Sequence, residues 1–272
     1  MIADFDGTLS PGTRDPGAAR IEPGARRALR RLASIAAGRP ERLHVAVLTG
    51  RTVADVAERT RVGGIDYLGD HGLQHGRLPR GSRGPVTVTP EAGFEGYAPH
   101  AEALATGVTL ELGSPPWLFV ERKGPSVAFH VRQADDIPAA RAAVLAAILA
   151  VEARAGLGDH GLEPYRGRSV VDLRPRDAGG KGEAAARLIA TSGAGAAISF
   201  GDDLSDTDAF DAVIAARDDG RLEAGRIVAV HGRVSTPPEI LARADLVVAS
   251  AWDVGRMLAA IARRLEREGS TG

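Results

Sequence analysis

The chain of 272 residues contains no cysteine, and aromatic residues make up only 4% of it. The absence of cysteine excludes disulfides, thiolate metal sites and cysteine nucleophiles within this chain. Positive and negative side chains are almost equal in number, and the formal net charge is −1. The charge balance therefore gives no reason to expect binding to nucleic acid or to an anionic membrane surface.

Long apolar runs are also missing. No segment approaches the roughly 18 consecutive apolar residues of a membrane-spanning helix, and the N-terminus lacks the basic start and apolar stretch of a secretory signal peptide. We therefore expect a cytoplasmic protein. Hydrophobic residues make up 44% of the chain and charged residues 25%, as in soluble globular proteins. The length predicts one larger domain or two modest ones.

Short apolar runs alternate with helical patterns towards both ends of the chain. The runs that predict buried strands are HVAVL (44–48), AAISF (196–200), RIVAV (226–230) and ADLVV (244–248). The helical patterns cover residues 23–37, 181–192, 205–216 and 252–268. Strands that alternate with helices in this way are typical of a parallel sheet covered by helices.

The middle of the chain has a different pattern, in which predicted strands follow one another closely. They cover residues 86–90, 108–112, 118–122 and 126–132, and a helix at 136–154 and a strand at 169–175 follow. Such crowding predicts a small α+β module. We therefore predict an α/β fold with a doubly wound parallel-sheet (Rossmann-like) core, residues 1–76 and 170–272, and an inserted α+β cap domain, residues 77–169.

Polar groups follow the predicted core strands. Asp4 and Asp6 come after the first apolar residues, TGR (49–51) and GDDLSD (201–206) each follow a strand, and GGKGE (179–183) begins a helix. Open parallel sheets bind their ligands at the carboxyl ends of the strands. We therefore expect these carboxylates, the hydroxyl and the ammonium group to meet at one edge of the sheet.

This set of groups suits phosphoryl transfer. Carboxylates are preferred ligands of Mg²⁺, and an aspartate such as Asp4 can attack phosphorus to form an aspartyl-phosphate. A second carboxyl group two residues on, at Asp6, lies on the same side of an extended backbone, where it can protonate a leaving oxygen and then deprotonate water. The Thr49 hydroxyl and the Lys181 ammonium group can bind the phosphoryl oxygens.

Each motif taken alone has a more common structural role. An Asp-x-Asp pair is usually a turn, LTGR (48–51) a strand end with a helix cap, and GDDLSD (201–206) an N-cap run. Lys181 does not lie in a nucleotide P-loop, because Pro175 stands at the first glycine of that motif and Gly182 replaces its Ser/Thr. The combination of the motifs, in this order, favours a catalytic site far more strongly than any single member.

The sequence resembles the haloacid dehalogenase superfamily of aspartate-nucleophile phosphatases. Its four motifs correspond, in order, to DFDGTLS (4–10), LTGR (48–51), GGKGE (179–183) and GDDLSDTDAF (201–210), and the predicted cap lies between the second and third. Within that superfamily the chain is similar to the trehalose-6-phosphate phosphatase family. This similarity is carried by GDHGLQ (69–74), VERKGPSVAFHVR (120–132), VVDLRP (170–175) and the fourth motif.

The resemblance implies Mg²⁺-dependent hydrolysis of trehalose 6-phosphate to trehalose and phosphate. It makes Asp4 the nucleophile and Asp6 the general acid/base, with Thr49 and Lys181 on the phosphate. It implies that Mg²⁺ is held by Asp4, the Asp6 carbonyl and Asp202. The further candidates for substrate binding are Gly50, Arg51, His71, Glu121, Lys123, His130, Arg132, Asp172, Asp203 and Asp206.

Three departures from the family pattern bear on these roles. Asp172 stands where the family usually has glutamate, so a shorter arm would have to reach the sugar, and HVR (130–132) replaces His-Tyr-Arg. Only three residues precede Asp4, whereas a strand is normally about five or six residues long. Either the first strand is short, or further residues precede it.

Several alternatives stay open at this point. His71 is equally consistent with bracing a loop, and surface pairing is the common role of an arginine such as Arg132. The substrate could be another sugar phosphate, such as sucrose, glucosylglycerol or mannosylglycerate phosphate, or the protein could be a non-catalytic sugar-phosphate sensor. We expect a small-molecule sugar phosphate as the partner, with no nucleic acid and no membrane. The oligomeric state is open, with a monomer favoured.

Overall fold

The computed structural model describes residues 1–13, 15–155, 161–166, 169–231 and 236–270. The chain divides into two compact units, the first made of Met1–Thr89 and Gly179–Gly272 and the second of Pro90–Ala178. The interpretation of the second unit as a cap domain, with the boundaries given above, stays a prediction.

Strands and helices of the described ranges are numbered here in chain order. The strands are β1 (Ile2–Ala3), β2 (Ala46–Leu48), β3 (Asp66–Gly69), β4 (Gln74–Arg77), β5 (Val88–Pro90), β6 (Phe119–Arg122), β7 (Val127–His130), β8 (Leu162–Arg166), β9 (Val170–Pro175), β10 (Ala196–Gly201), β11 (Ala224–Val230) and β12 (Leu246–Val248). The α-helices are α1 (Pro23–Gly38), α2 (Val53–Thr60), α3 (Ala98–Glu111), α4 (Ile137–Ala155), α5 (Gly180–Ser192), α6 (Asp206–Asp218), α7 (Pro238–Arg243) and α8 (Ala251–Ser270).

The first unit is built on an eight-stranded sheet with the order β12-β11-β10-β1-β2-β3-β4-β5. The strands from β12 to β3 run parallel to their neighbours, and β4 is antiparallel to β3. The chain adds strands outward from β1 to β3 in one direction and from β10 to β12 in the other, so that the switch point lies at β1. The predicted α/β class with a mainly parallel sheet is confirmed.

Alternate residues of the central strands face two different apolar layers, as the two-residue period of a strand requires. Ala3, Val47 and Tyr67 belong to the cluster that includes buried residues of α1 and α8. Their neighbours Ile2 and Leu68 belong to the cluster that includes buried alanines of α5. The sheet is therefore covered on both faces, which explains why its strands have continuous apolar sequences.

The strand register fixes the position of the predicted site. Ala3 of β1 lies opposite Val47 of β2 and Phe200 of β10. Asp4, the next residue, donates its N–H to the carbonyl oxygen of Phe200 at 3.0 Å. The residues that follow β2 and β10 consequently lie at the same edge of the sheet as Asp4, which is the edge where open parallel sheets bind ligands.

The second unit consists of a four-stranded antiparallel sheet, with the order β6-β7-β9-β8, and the helices α3 and α4. One face of the sheet carries the apolar residues that form a core with both helices. Members of this core are Val127, Phe129, Val171 and Leu173 of the sheet, Leu104 and Val108 of α3, and Val144 and Ile148 of α4. The opposite face of this sheet carries polar residues.

Two predictions about the middle of the chain are wrong. Residues 108–112 were predicted as a strand, but α3 extends to Glu111, because Ala101, Leu104 and Val108 are buried at helical spacing against the second unit's sheet. The strand predicted at 86–90 exists as β5, yet it lies at the edge of the eight-stranded sheet rather than in the α+β module. Across the ranges that the structure covers, no helix combines the length and apolarity of a membrane span.

Candidate active site

A buried lysine lies between two buried carboxylates at the switch point. Lys181, in the first turn of α5, donates hydrogen bonds from Nζ to Oδ1 of Asp4 and to Oδ1 of Asp206, each at 2.7 Å. The exposed fractions of these residues are 3% for Lys181, 7% for Asp4 and 3% for Asp206. Three residues that the sequence analysis selected are therefore joined by charge-assisted hydrogen bonds, away from bulk water.

Asp206 also organises the loop between β10 and α6. Its Oδ2 accepts the backbone N–H groups of Asp202 at 2.9 Å and Asp203 at 3.0 Å, while its Oδ1 binds Lys181. Carboxylate oxygens of Asp4, Asp202 and Asp206 then lie within 4.8 Å of one another. Both side-chain oxygens of Asp206 therefore have protein partners, whereas Asp203 is exposed. The substrate-binding roles predicted for these two residues stay predictions.

Asp202 is held by two residues to which the sequence analysis gave no role. Thr8 donates its hydroxyl to Oδ1 of Asp202 at 3.1 Å. Gly7 has φ +84°, and a Cβ added there would lie 2.0 Å from Oδ2 of Asp202, so glycine is required both for the backbone conformation and for this close approach. The Asp-Gly-Thr sequence at 6–8, which is typical of a turn, was the signal that could have identified them.

The cluster contains three carboxyl groups and one ammonium group. Burial, together with the charges of Asp206 and Asp6, raises the pKa of Asp4 to about 8 although Lys181 opposes the shift. Burial and the charges of Asp4, Asp206 and Asp203 raise the pKa of Asp202 to about 9. Burial alone would lower the pKa of Lys181, but Asp206 and Asp4 raise it above its usual value, so the lysine stays charged.

A divalent cation fits this cluster. Three buried or half-buried carboxyl groups supply oxygen donors, and a single ammonium group between them supplies too little positive charge for all three to ionise together. Such oxygen donors suit hard cations. The side chain of Asp6 is not part of the cluster, because it is turned towards Arg51. The metal-binding role that the resemblance implies for Asp6 belongs to its carbonyl only.

The residues after β2 form the second part of the site. Thr49 is buried; its Oγ1 accepts the N–H of Arg51 at 3.3 Å, and its carbonyl oxygen accepts the N–H of His71 at 2.9 Å. A Cβ at Gly50 would lie 2.8 Å from Nε2 of His71, so the imidazole lies against the backbone of Gly50. Arg51 binds both carboxylate oxygens of Asp6, at 2.6 and 2.8 Å.

The remaining predicted residues belong to the second unit. The register places Glu121 of β6 and Asp172 of β9 opposite Ala128 of β7, on one face of the sheet. Nε2 of His130 lies 3.0 Å from Oε2 of Glu121, and Nζ of Lys123 lies 3.5 Å from Oδ1 of Asp172. This face also carries Arg174, which lies 3.4 Å from Oδ2 of Asp172 and 3.8 Å from the ring centre of Tyr165, whereas Arg132 is exposed.

The mainly parallel sheet, with buried carboxylates and a lysine at its switch point, is an α/β fold that fits the haloacid dehalogenase class indicated by the sequence motifs. Within this class, the chain belongs to the trehalose-phosphatase family, because the family model of that description matches residues 2–230. Both levels of the resemblance derived from the sequence motifs are thus confirmed.

Individual relatives agree with this assignment. The chain is 40% identical over 221 residues to the trehalose-phosphate phosphatase of Mycobacterium avium, an alignment that covers 78% of this chain and 51% of the relative. The chain therefore spans about half the length of the curated relatives it matches. Among solved structures, a trehalose-6-phosphate phosphatase related protein has a TM-score of 0.70 at 21% identity, covering 98% of this chain and all of the other.

A second solved structure, the C-terminal domain of the trehalose-6-phosphate phosphatase from C. albicans, has a TM-score of 0.69 at 19% identity and covers 96% of this chain and 90% of that one. At these identities the structures establish the fold alone.

Proposed function

We propose that this protein is a Mg²⁺-dependent phosphatase that hydrolyses trehalose 6-phosphate to trehalose and phosphate through an aspartyl-phosphate on Asp4. The main support is the buried Lys181 between Asp4 and Asp206, within a three-carboxylate cluster at the switch point of the sheet. The names of the curated relatives support the choice of substrate.

The first half of the reaction transfers the phosphoryl group to the protein. An oxygen of Asp4 forms a bond to phosphorus while the bond from phosphorus to the sugar oxygen breaks, and Asp6 gives a proton to that oxygen. Lys181, next to Asp4 at 2.7 Å, stabilises the charge on the transferring oxygens. A Mg²⁺ ion at Asp4 and Asp202 would offset the repulsion between the carboxylate and the phosphate dianion.

The second half frees the nucleophile. Water attacks phosphorus and gives its proton to Asp6, and the bond between phosphorus and the Asp4 oxygen breaks. Each group of the chain thereby returns to its starting protonation state. Asp206 acts through Lys181 and the loop that carries Asp202, because its own oxygens are occupied by these groups.

We propose that the polar face of the second unit's sheet binds the sugar. Glu121, His130 and Lys123 supply a carboxylate, an imidazole and an ammonium group on one side of a rigid sheet, where they can bind hydroxyl groups. Asp172 has a different proposed role, because it contacts Lys123 and Arg174. The shorter aspartate would then position Lys123, rather than reach the sugar itself.

Replacing Lys123 by alanine is expected to raise the KM for trehalose 6-phosphate about tenfold or more, because a charge-assisted hydrogen bond to the sugar is lost. The KM for p-nitrophenyl phosphate, which has no sugar, should change little. The measurement is phosphate release by the wild type and by Lys123→Ala from p-nitrophenyl phosphate, trehalose 6-phosphate, glucose 6-phosphate and the phosphates of sucrose, glucosylglycerol and mannosylglycerate.

Arg122→Ala is the matched control for this experiment, since Arg122 lies on the same strand but pairs with the exposed Glu102. Equal losses on the sugar and the aryl substrate would contradict a sugar-binding role for Lys123. Equal turnover of glucose 6-phosphate and trehalose 6-phosphate by the unchanged protein would contradict the disaccharide assignment. Binding without any turnover would favour the sugar-phosphate sensor.

Mg²⁺ binding is expected to strengthen as the pH rises, up to about pH 9. The raised pKa values of Asp4, about 8, and Asp202, about 9, mean that a cation must displace protons at neutral pH. Below these values the apparent affinity should fall about tenfold per pH unit for each proton displaced. Calorimetric titrations with Mg²⁺ in buffers of different ionisation enthalpy count the protons released; an affinity independent of pH would contradict the proposed site.

A further inference from the structure

A row of ion pairs leads away from Asp6 along α2. Arg51 donates Nε and Nη2 to the two oxygens of Asp6, and its Nη1 to Oδ2 of Asp55 at 2.7 Å. Arg59 donates Nε to both oxygens of Asp55, at 2.9 and 2.8 Å. We call Asp6, Arg51, Asp55 and Arg59 the charge chain.

The local sequence explains why three of these residues meet. Asp55 and Arg59 are spaced four residues apart on α2, which places them on one side of the helix, and Arg51 lies directly before the N-cap residue Thr52, within reach of Asp55. Thr52 caps α2 by accepting the N–H of Asp55 at 3.2 Å, so the backbone beneath the Asp55 carboxylate is fixed as well.

The far end of the charge chain is anchored on backbone. Nη1 of Arg59 donates to the carbonyl oxygens of Gly17, at 2.9 Å, and Ala19, at 2.8 Å. These residues lie in the segment between β1 and α1, which follows the proposed catalytic aspartates. The anchor therefore connects helix α2 to the same segment of the chain that carries Asp6.

Within the charge chain the side chain of Arg51 is nearly buried, and that of Asp6 is half exposed. The side chain of Arg51 is 12% exposed, whereas that of Asp6 is 46% exposed. Burial by itself would raise the pKa of Asp55, but hydrogen bonds and charges from Arg59 and Arg51 hold it below its usual value. Asp55 is thus ionised at neutral pH and can hold Arg51 in place.

We propose that Asp55 and Arg59 are positioning residues for the general acid/base: they fix the guanidinium of Arg51, and Arg51 fixes the orientation of the Asp6 carboxylate. This inference rests on the proposed function, in which Asp6 moves the proton. The two parallel hydrogen bonds from Arg51 define the plane of the carboxylate. General acid–base catalysis requires that plane to be set before the substrate reacts.

The leaving group provides the test. A sugar alkoxide needs the proton from Asp6, whereas p-nitrophenolate departs without one. Mispositioning of Asp6 should therefore lower kcat/KM, which reports the steps up to departure of the leaving group, for the sugar substrate only, while the later attack of water is common to both substrates. Asp55→Asn keeps the size of the side chain and weakens its hold on Arg51. We expect kcat/KM for trehalose 6-phosphate to fall about tenfold and kcat/KM for p-nitrophenyl phosphate to stay nearly unchanged.

Arg51→Lys should show the same selective loss, because a single ammonium group cannot make two parallel hydrogen bonds. Asp211→Asn is the control: it breaks a comparable pair, in which Arg243 binds both oxygens of Asp211 at 2.7 and 3.0 Å on the surface of α6. This variant should lose activity on neither substrate.

Equal losses of kcat/KM on both substrates in Asp55→Asn would overturn the inference, and so would a crystal structure of that variant in which Arg51 still binds Asp6 through both hydrogen bonds. These results would leave the proposed function intact. A wild-type protein that releases no phosphate from either substrate would instead overturn the proposed function, and with it the proton transfer on which this inference rests.

Discussion

Replacing Asp4 by asparagine is expected to reduce phosphate release from trehalose 6-phosphate by at least about 10⁴-fold, because the amide oxygen cannot form the aspartyl-phosphate. The fold should survive, since an asparagine oxygen can still accept the hydrogen bond that Lys181 gives to Oδ1 of Asp4. The pKa of the Asp4 carboxyl group, which this substitution removes, is raised, because burial disfavours its charged form.

The measurement is release of phosphate at saturating Mg²⁺, with circular dichroism and thermal unfolding as checks of the fold. Asp211→Asn, a surface aspartate of α6 paired with Arg243, serves as the matched substitution and should keep full activity. Trapping of radiolabelled phosphate on the wild-type protein but not on Asp4→Asn would identify the nucleophile directly. An Asp4→Asn protein within about tenfold of wild-type turnover would show that another group attacks phosphorus.

Lys181→Met is expected to abolish turnover and to lower the free energy of unfolding by about 3 kcal/mol. The substitution preserves volume but leaves Asp4 and Asp206, both nearly fully buried, without the ammonium group that binds them at 2.7 Å. Loss of Lys181 removes the charge that opposes the raised pKa of Asp4. Without Lys181 the pKa of Asp4 rises above about 8, so the stability deficit should grow once the pH rises past about 8, where Asp4 ionises in the wild type but stays protonated in the variant.

Urea unfolding of the single and double variants, with and without Mg²⁺, measures this effect. In the double variant Lys181→Met/Asp4→Asn one uncompensated carboxylate is gone, so part of the lost stability should return. Mg²⁺ should also restore stability in Lys181→Met, because a cation supplies the missing positive charge. A single variant that unfolds at the same urea concentration as the wild type would contradict the role of Lys181 as the counter-charge.

The sequence predicted the core of the fold well, because its signals are local. Apolar runs of strand length alternate with helical patterns, and the strands expected at 196–200 and 226–230 are found at Ala196–Gly201 and Ala224–Val230. The wrong prediction at 108–112 also has a local cause. The β-branched and apolar residues of VTLEL satisfy a strand pattern, and only the burial of Val108 together with Ala101 and Leu104, at helical spacing, selects the helix α3.

The site was predicted as a set of residues, but not as a set of contacts. The sequence placed Asp4, Thr49, Lys181 and Asp202 after strands or at a helix start, and the parallel sheet brings those positions to one edge. It could not show that Asp206 binds Lys181 and the loop, or that Asp6 is held by Arg51. Each of these pairings depends on side-chain direction, which local patterns do not encode.

The sequence by itself determined the order of strands and helices, the chemical groups at the strand ends and the family to which they belong. Only the tertiary structure decided which carboxylate pairs with the lysine and which is available to a cation. Lys181 binds Asp4 although 177 positions of sequence separate them, and Thr8 binds Asp202 across a separation of 194. Such pairings are set by the register of β1 between β2 and β10. The electrostatics of the site follow from that register, since burial and distance, rather than residue type, fix the pKa values.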